Sequence, residues 1–189
     1  MTALRTPVPD PETDPIVGLI RQGALRDATA LAARTHGAAL GRLSMAMLGS
    51  QAEAEEVVQE VLIAAHDAFE SYRGEGTVRA FLFGIARRMC AKRLEMRGRR
   101  ARRLRLVFDA EADAQLPDQV LETRRRAAKV RLALEELKPS ERDAVVMRYE
   151  AGLDYAEIAA ASGIDEVAAR KRVSRGLARM RELLAEVER

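Results

Sequence analysis

Lys171, Ser174 and Arg175 fall on one side of a helical wheel drawn at 100° per residue, with Ala178 beside them. Lysine and arginine donate hydrogen bonds to guanine O6 and N7, and small side chains such as Ser174 and Ala178 let a helix sit deep in a groove. The chemistry of such a face is the reading of base edges, not bond making. Arg170 and Arg172 flank it, placed to hold phosphates, which set register without reading sequence. The opposite side carries Ala169, Val173, Leu177, Met180 and Leu184, a stripe for packing. Plain solvation also produces a charged face on a terminal helix, and the residues upstream favour recognition over it.

Those upstream residues must position the reading face. Ser140 with Asp143 and Asp154 with Glu157 each put a side-chain acceptor before a helix and an acid three residues on, the pattern of a capping box. Gly152 supplies a left-handed helix end, Ser162-Gly163 a turn, and Asp165 a cap for the last helix. A helix, a break, a short helix, a turn and a long basic helix over residues 137–184 make a helix-turn-helix, in which the last helix enters the major groove.

Other chemistry finds little support. His36 and His66 have no partner at ligand spacing, so no metal site is expected. Cys90 is the single cysteine, which excludes an internal disulfide and reads as a buried apolar thiol. No glycine-rich phosphate loop occurs, and Glu55-Glu56 lies on a solvated helix with nothing to raise a pKa. No catalytic set and no cofactor are expected. The 189 residues, with 4% aromatics, no tryptophan and a net charge of +3, favour an all-α protein of one or two small domains. No apolar run of membrane-spanning length and no secretory signal are present, and a cytoplasmic protein is the default.

The N-terminal half divides its charge. Residues 1–13 read as a disordered tail and residues 15–48 as two helical segments broken near Gly23 and Gly37. Ser50 with Glu53 opens a helix to about Phe69, whose seam is Val57, Val58, Val61, Leu62, Ala65 and Phe69. Opposite that seam lie Glu56, Gln59, Glu60, Ile63 and Asp67. An acidic stripe in a basic protein is either solvated surface or a dock for a basic protein, with Ile63 as apolar anchor. A glycine-marked loop at 72–77 leads to a helix from Val78 to about Arg105, where Phe81, Leu82, Phe83 and Ile85 are candidate core. From Arg87 to Arg105 ten bases (Arg87, Arg88, Lys92, Arg93, Arg97, Arg99, Arg100, Arg102, Arg103, Arg105) face one acid, Glu95. Like charges this dense call for an anion, and phosphates would supply it with steep salt dependence. Tyr72 in the loop can stack on an unpaired base or pack locally. Charge then inverts at Asp109, Glu111, Asp113, Asp118 and Glu122, around Pro117, as in an extended linker. Arg124, Arg125 and Arg126 start the first helix of a second domain, running to about Leu137.

Three segments carry a resemblance that covers most of the chain. Glu53-Ala54-Glu55-Glu56-Val57-Val58-Gln59-Glu60-Val61 resembles the pattern "AED-LVQEVF", and Phe81-Leu82-Phe83-Gly84-Ile85-Ala86-Arg87 resembles "WL-x-x-IAR". Tyr155-Ala156-Glu157-Ile158-Ala159, with Arg170-Lys171-Arg172 beyond, resembles "EIA…TVKSRLHRAR". In this order, with an acidic linker between, they resemble an extracytoplasmic-function (group IV, sigma-70 family) sigma factor of bacterial RNA polymerase. The resemblance implies a sigma region 2 helical bundle at residues 14–100, a linker at 101–126 and a region 4 helix-turn-helix at 127–189. It implies that Glu56, Gln59, Glu60 and Ile63 dock on the beta-prime coiled coil of core RNA polymerase, and that region 4 meets the beta flap. Tyr72, Arg73, Arg79, Arg87, Arg88, Lys92 and Arg93 match the positions that hold the −10 element as melted single strand with a flipped base. Lys171, Ser174 and Arg175 match those that read the −35 element, the residues already selected by the wheel. The linker would thread towards the RNA exit path, and an anti-sigma protein is the expected inhibitor. Phe81 stands where the family has Trp, Arg88 and Lys92 where it has Asn and Asp, and Ala168-Ala169 where it has Thr-Val, so the usual −10 base preferences are not carried over.

Two other classes compete. A helix-turn-helix repressor or activator explains the C-terminal half but neither the acidic helix beside a basic cluster nor the acidic linker. A helical adaptor would show no salt-dependent DNA binding.

Overall fold

A computed structural model describes residues 14–74, 76–104 and 128–187, all helices and short turns. The expected tail at 1–13 and most of the expected linker at 101–126 lie outside the described residues. Asp14 opens α1 (Pro15–Arg21) by accepting a hydrogen bond from the Ile16 amide at 2.9 Å, with Pro15 pre-set for the first turn. Gly23, at φ 74, turns the chain into α2 (Leu25–Leu48). This helix runs unbroken through Gly37, against the expected break there. A glycine inside a helix weakens it by only about 1 kcal/mol relative to alanine, and the burial of Ala32, Leu40, Leu43 and Met47 outweighs that.

Ser50 caps α3 (Gln51–Phe69), accepting from the Glu53 amide at 3.4 Å. The reciprocal half of that capping box is not made with Glu53, whose carboxylate turns instead to Arg97 of α4 (Val78–Leu104). The expected seam is the buried face: Val57, Val61, Ala65 and Phe69 are inaccessible, with Val58 and Leu62 half-buried. Phe69, Leu40, Leu43, Leu82 and Phe83 fill the centre of an α2–α3–α4 bundle, which α1 crosses. Full burial of each such side chain contributes about 1.5–3 kcal/mol.

The second body comprises α5 (residues 128–135), α6 (Pro139–Tyr149), α7 (Tyr155–Ser162) and α8 (Glu166–Val187). The expected Ser140–Asp143 box is absent. Lys138 is the N-cap of α6, Pro139 fills the first turn, and no side chain caps it. Proline pre-sets φ and has no orphan N–H to satisfy, which leaves Asp143 to turn elsewhere. The Asp154–Glu157 box of α7 is complete, with bonds of 2.8 and 3.0 Å. Gly152 (φ 69) and Gly163 (φ 65) take the left-handed conformation at the two breaks. Asp165 accepts from the Ala168 amide at 2.7 Å and starts α8. Leu134, Leu137, Met147, Leu153, Ile158, Ala169 and Val173 form the core of this body.

Candidate nucleic-acid interface

The reading face of α8 stands as the wheel requires. Lys171, Ser174, Arg175 and Ala178 are exposed, while Ala169 and Val173 are buried and Leu177, Met180 and Leu184 half-buried. Gly176 belongs to the buried side as well. A Cβ there would lie 2.6 Å from Val145 Cγ2, so α8 rests backbone-close on α6. Of the flanking arginines, Arg170 is exposed, pairs with Glu166 at 2.8 Å and stacks 4.6 Å from the Tyr155 ring centre. Arg148 lies 4.9 Å from the same ring, so Tyr155 receives two guanidinium groups. Arg172 is half-buried and near enough to Asp143 to pull its carboxyl pKa down.

The acidic stripe of α3 is exposed at Glu56, Gln59, Glu60 and Ile63, the last with 64% of its surface in solvent. It is tied to α4. Arg93 pairs with Glu56 at 2.9 Å and Glu60 at 2.7 Å, and Arg97 pairs with Glu53 while donating to Leu48 O at 2.7 Å. Part of the anion that the basic helix calls for thus comes from its neighbour.

On the remaining face of α4 the expected strand-binding residues divide. Arg88 and Lys92 are exposed, as is Arg73 in the loop. Tyr72 packs locally, its hydroxyl donating to Gly76 O at 2.8 Å and its ring 5.4 Å from that of Phe81. Burial pushes its pKa up. A pocket of about 410 Å³ opens beside it, lined by Ala68, Ser71, Tyr72, Arg73 and Phe81. Arg79 and Arg87 are engaged with the second body. Arg79 pairs with Glu157 at 3.1 Å and donates to Ala151 O at 2.5 Å; Arg87 pairs with Asp143 at 3.3 Å. Burial raises the pKa of both carboxyls, and the arginines oppose that rise.

Cys90 is buried in the first body, and His36 and His66 are half-buried there. Cys90 is buried against Ser44, with Sγ and Oγ 3.8 Å apart, and burial pushes its thiol up to about 11. His66 Nδ1 lies 3.1 Å from Thr29 Oγ1. Burial, then the charge of Arg79, lowers the His36 pKa, against an opposing pull from Asp14. Among the described residues no group of three or more His, Cys, Asp or Glu side chains could hold a metal. None of the described helices is long and apolar enough to cross a membrane.

Two families match the chain, Sigma-70 region 2 over residues 32–100 and Sigma-70 region 4 over 127–180. The ECF RNA polymerase sigma factor SigL of Mycobacterium tuberculosis is 31% identical over 80% of this chain and 86% of its own length. The chain belongs to the ECF sigma factors of the sigma-70 family. As such it is an initiation factor that directs promoter recognition by RNA polymerase, and not an enzyme. This sigma factor is also 32% identical to the ECF sigma factor SigE of Mycolicibacterium smegmatis over 80% of the chain, and it spans 60% of that relative's length. Two solved structures share its fold. CnrH in complex with the cytosolic domain of CnrY has a TM-score of 0.65 at 23% identity, covering 89% of this chain and 96% of that one. The sigma factor RpoE of Bartonella quintana in complex with the anti-sigma factor NepR has a TM-score of 0.60 at 26% identity, covering 88% and 99%.

Asp143 and Glu157 are the residues that sequence reasoning placed only as caps. Glu157 does cap α7 but also binds Arg79, and Asp143 caps nothing and binds Arg87. Their partners are 78 and 56 residues away, beyond the range of local pattern.

Proposed function

We propose that this sigma factor docks on the beta-prime coiled coil of core RNA polymerase through Glu56, Gln59, Glu60 and Ile63. Its region 4 then meets the beta flap and reads the −35 duplex through Lys171, Ser174 and Arg175, with Arg170 and Arg172 on phosphates. The −10 strand is held by Arg73, Arg79, Arg87, Arg88, Lys92 and Arg93, with the pocket beside Tyr72 receiving an unstacked base. Binding energy at that base offsets an unstacking cost of a few kcal/mol. The carrying observation is the face of α8, where the base-reading residues are all in solvent and the packing stripe is turned inward. The acidic stripe supports the docking role, because a 64% exposed isoleucine among carboxylates has no packing role within the bundle. An anti-sigma partner fits the RpoE neighbour, which is in complex with the anti-sigma factor NepR, and the site of action is the bacterial cytoplasm.

The test is capture of core polymerase by the purified chain, followed by sequencing of the 5′ ends of transcripts made by the reconstituted holoenzyme. Transcripts sharing upstream −35 and −10 elements are expected, and Ile63→Asp should abolish capture while leaving helicity intact. Absence of polymerase binding, or tight binding of duplex DNA by the chain alone, would favour a repressor and overturn this reading.

A further inference from the structure

One residue on the reading side of α8 has no hydrogen bond to offer. Val167 lies in the first turn, just after Asp165, whose side chain accepts from the Ala168 amide at 2.7 Å and fixes the start of the helix. Val167 is 61% exposed, and among the described side chains of α8 it is the one large apolar group in solvent. Neither helix propensity nor packing accounts for it. A β-branched residue is a poorer helix former than alanine or leucine. The stripe that packs, with Ala169 and Val173 buried, is on the other side of the helix. A lone exposed valine is ordinary on most of a protein surface. This one falls about 40° from Lys171 on the wheel, between Ser174 and Ala178, and so inside the arc of the base-reading residues.

We infer that Val167 is a specificity-determining residue of the −35 contact, its methyl groups meeting the C5 methyl of a thymine in the major groove. The inference rests on the promoter reading above. The thymine methyl is the apolar feature that base pairs present at the major-groove edge, and apolar side chains read it by contact. Residues at the N-terminal end of a recognition helix are the ones that reach base edges, and Val167 is nearer that end than Lys171, Ser174 or Arg175. Val167 precedes Lys171 by one helical turn, a rise of about 6 Å, and stacked base pairs repeat at about 3.4 Å. The thymine therefore lies within about two base pairs of the pair that Lys171 reads. A cytosine in its place lacks the methyl and turns an amino donor towards the valine, which has no acceptor. Discrimination then comes from a lost apolar contact together with a donor left without a partner. The face as a whole asks for an element in which guanine, met by Lys171 and Arg175, has a thymine near it on the side where α8 begins.

The experiment uses holoenzyme reconstituted from the full chain, with duplex fragments of a promoter located by its transcript 5′ ends. Each thymine of the −35 element, on either strand, is replaced in turn by uracil, which deletes the C5 methyl and keeps every hydrogen-bonding group. Competition binding should show the wild type weakened about fourfold at one thymine, as loss of one buried methyl predicts. Val167→Ser should weaken binding of the unmodified promoter and bind the thymine and uracil forms at that position alike. The effects of uracil elsewhere and the slope against salt should not change, because no phosphate contact is lost. Circular dichroism of the two chains should coincide, since the substituted side chain is exposed. A uracil penalty that is the same in both chains overturns the inference, as does an element with no thymine within two base pairs of the one where Lys171→Ala relaxes preference. Unchanged promoter binding by the serine variant overturns it too, since a solvated valine would behave that way. Failure of the promoter reading shows up separately, as transcripts that share no −35 element, and takes this inference with it.

Discussion

Gly176 offers a test of how the recognition helix is seated. It is buried in the middle of α8, and a methyl group there would stand 2.6 Å from Val145 Cγ2 and 3.2 Å from the Glu141 carbonyl oxygen. Ordinary carbon contacts are about 3.5–4.0 Å, so Gly176→Ala must push α8 off α6 by about 1 Å or force Val145 from its rotamer. Overpacking of this size costs about 2 kcal/mol, against about 1 kcal/mol regained in helix propensity. The expected net loss is about 1 kcal/mol, on the order of 5 °C in the melting of a body this small. Val145 is 5% exposed, and Val145→Ala alone should cost about 2 kcal/mol through lost burial. In that background the clashing methyl is gone and the 3.2 Å approach to the Glu141 carbonyl oxygen remains, so Gly176→Ala should cost less there than in the wild type. The difference is a coupling on the order of 1 kcal/mol between the two positions. Native-state hydrogen exchange of the α6 and α8 amides reads it locally, without assuming that both bodies unfold together. If Gly176→Ala has the same effect with valine or alanine at 145, the seating argument is refuted.

Three further outcomes are expected. Arg175→Ala should cost about 1–3 kcal/mol on the cognate −35 duplex and relax preference at one base pair, whereas Arg170→Ala should weaken all sequences alike and lower the salt slope by about one; filter binding of holoenzyme across a salt series separates them. Burial raises the Asp143 and Glu157 carboxyls against the pull of Arg87, Arg142 and Arg172 on the first and Arg79 on the second. The folded chain then binds their protons more tightly than the unfolded one, so their contribution to stability is fully present below the ordinary carboxylate range and is lost as pH rises through the raised values. The wild type should therefore lose melting temperature relative to Asp143→Asn as pH rises through that range, and a relative gain would contradict that sign. Cys90, with its thiol near 11 and its side chain inaccessible, should react with a disulfide reagent only at the rate of local opening, and fast labelling of the native chain would show the burial to be wrong.

What was legible in the sequence was whatever a single helix decides. The α8 face, the α3 seam and the Asp154–Glu157 box depend on residues three to seven apart, and the structure places them as read. Gly37 misled because a glycine's local cost is small beside the burial of its neighbours in α2. Ser140 misled because Pro139 had already solved the start of α6. The pairing of Arg79 with Glu157, and of Arg93 with Glu56 and Glu60, joins positions 33 to 78 residues apart. Charge runs announced that partners were needed but not which ones. Gly84 and Gly176 carried no signal at all, since an absent side chain matters only once another backbone lies against it.

Arg93 joins two surfaces, bridging Glu56 and Glu60 of the proposed polymerase dock from the helix that carries Arg88 and Lys92, proposed to hold the −10 strand. Neither surface is therefore at liberty to drift alone. Losing Glu60 would release half of a guanidinium and remove a charge from the acidic stripe in one step. A designer transplanting the acidic stripe into another scaffold would have to carry the arginine along, and a homologue that exchanges one should be found to have exchanged the other.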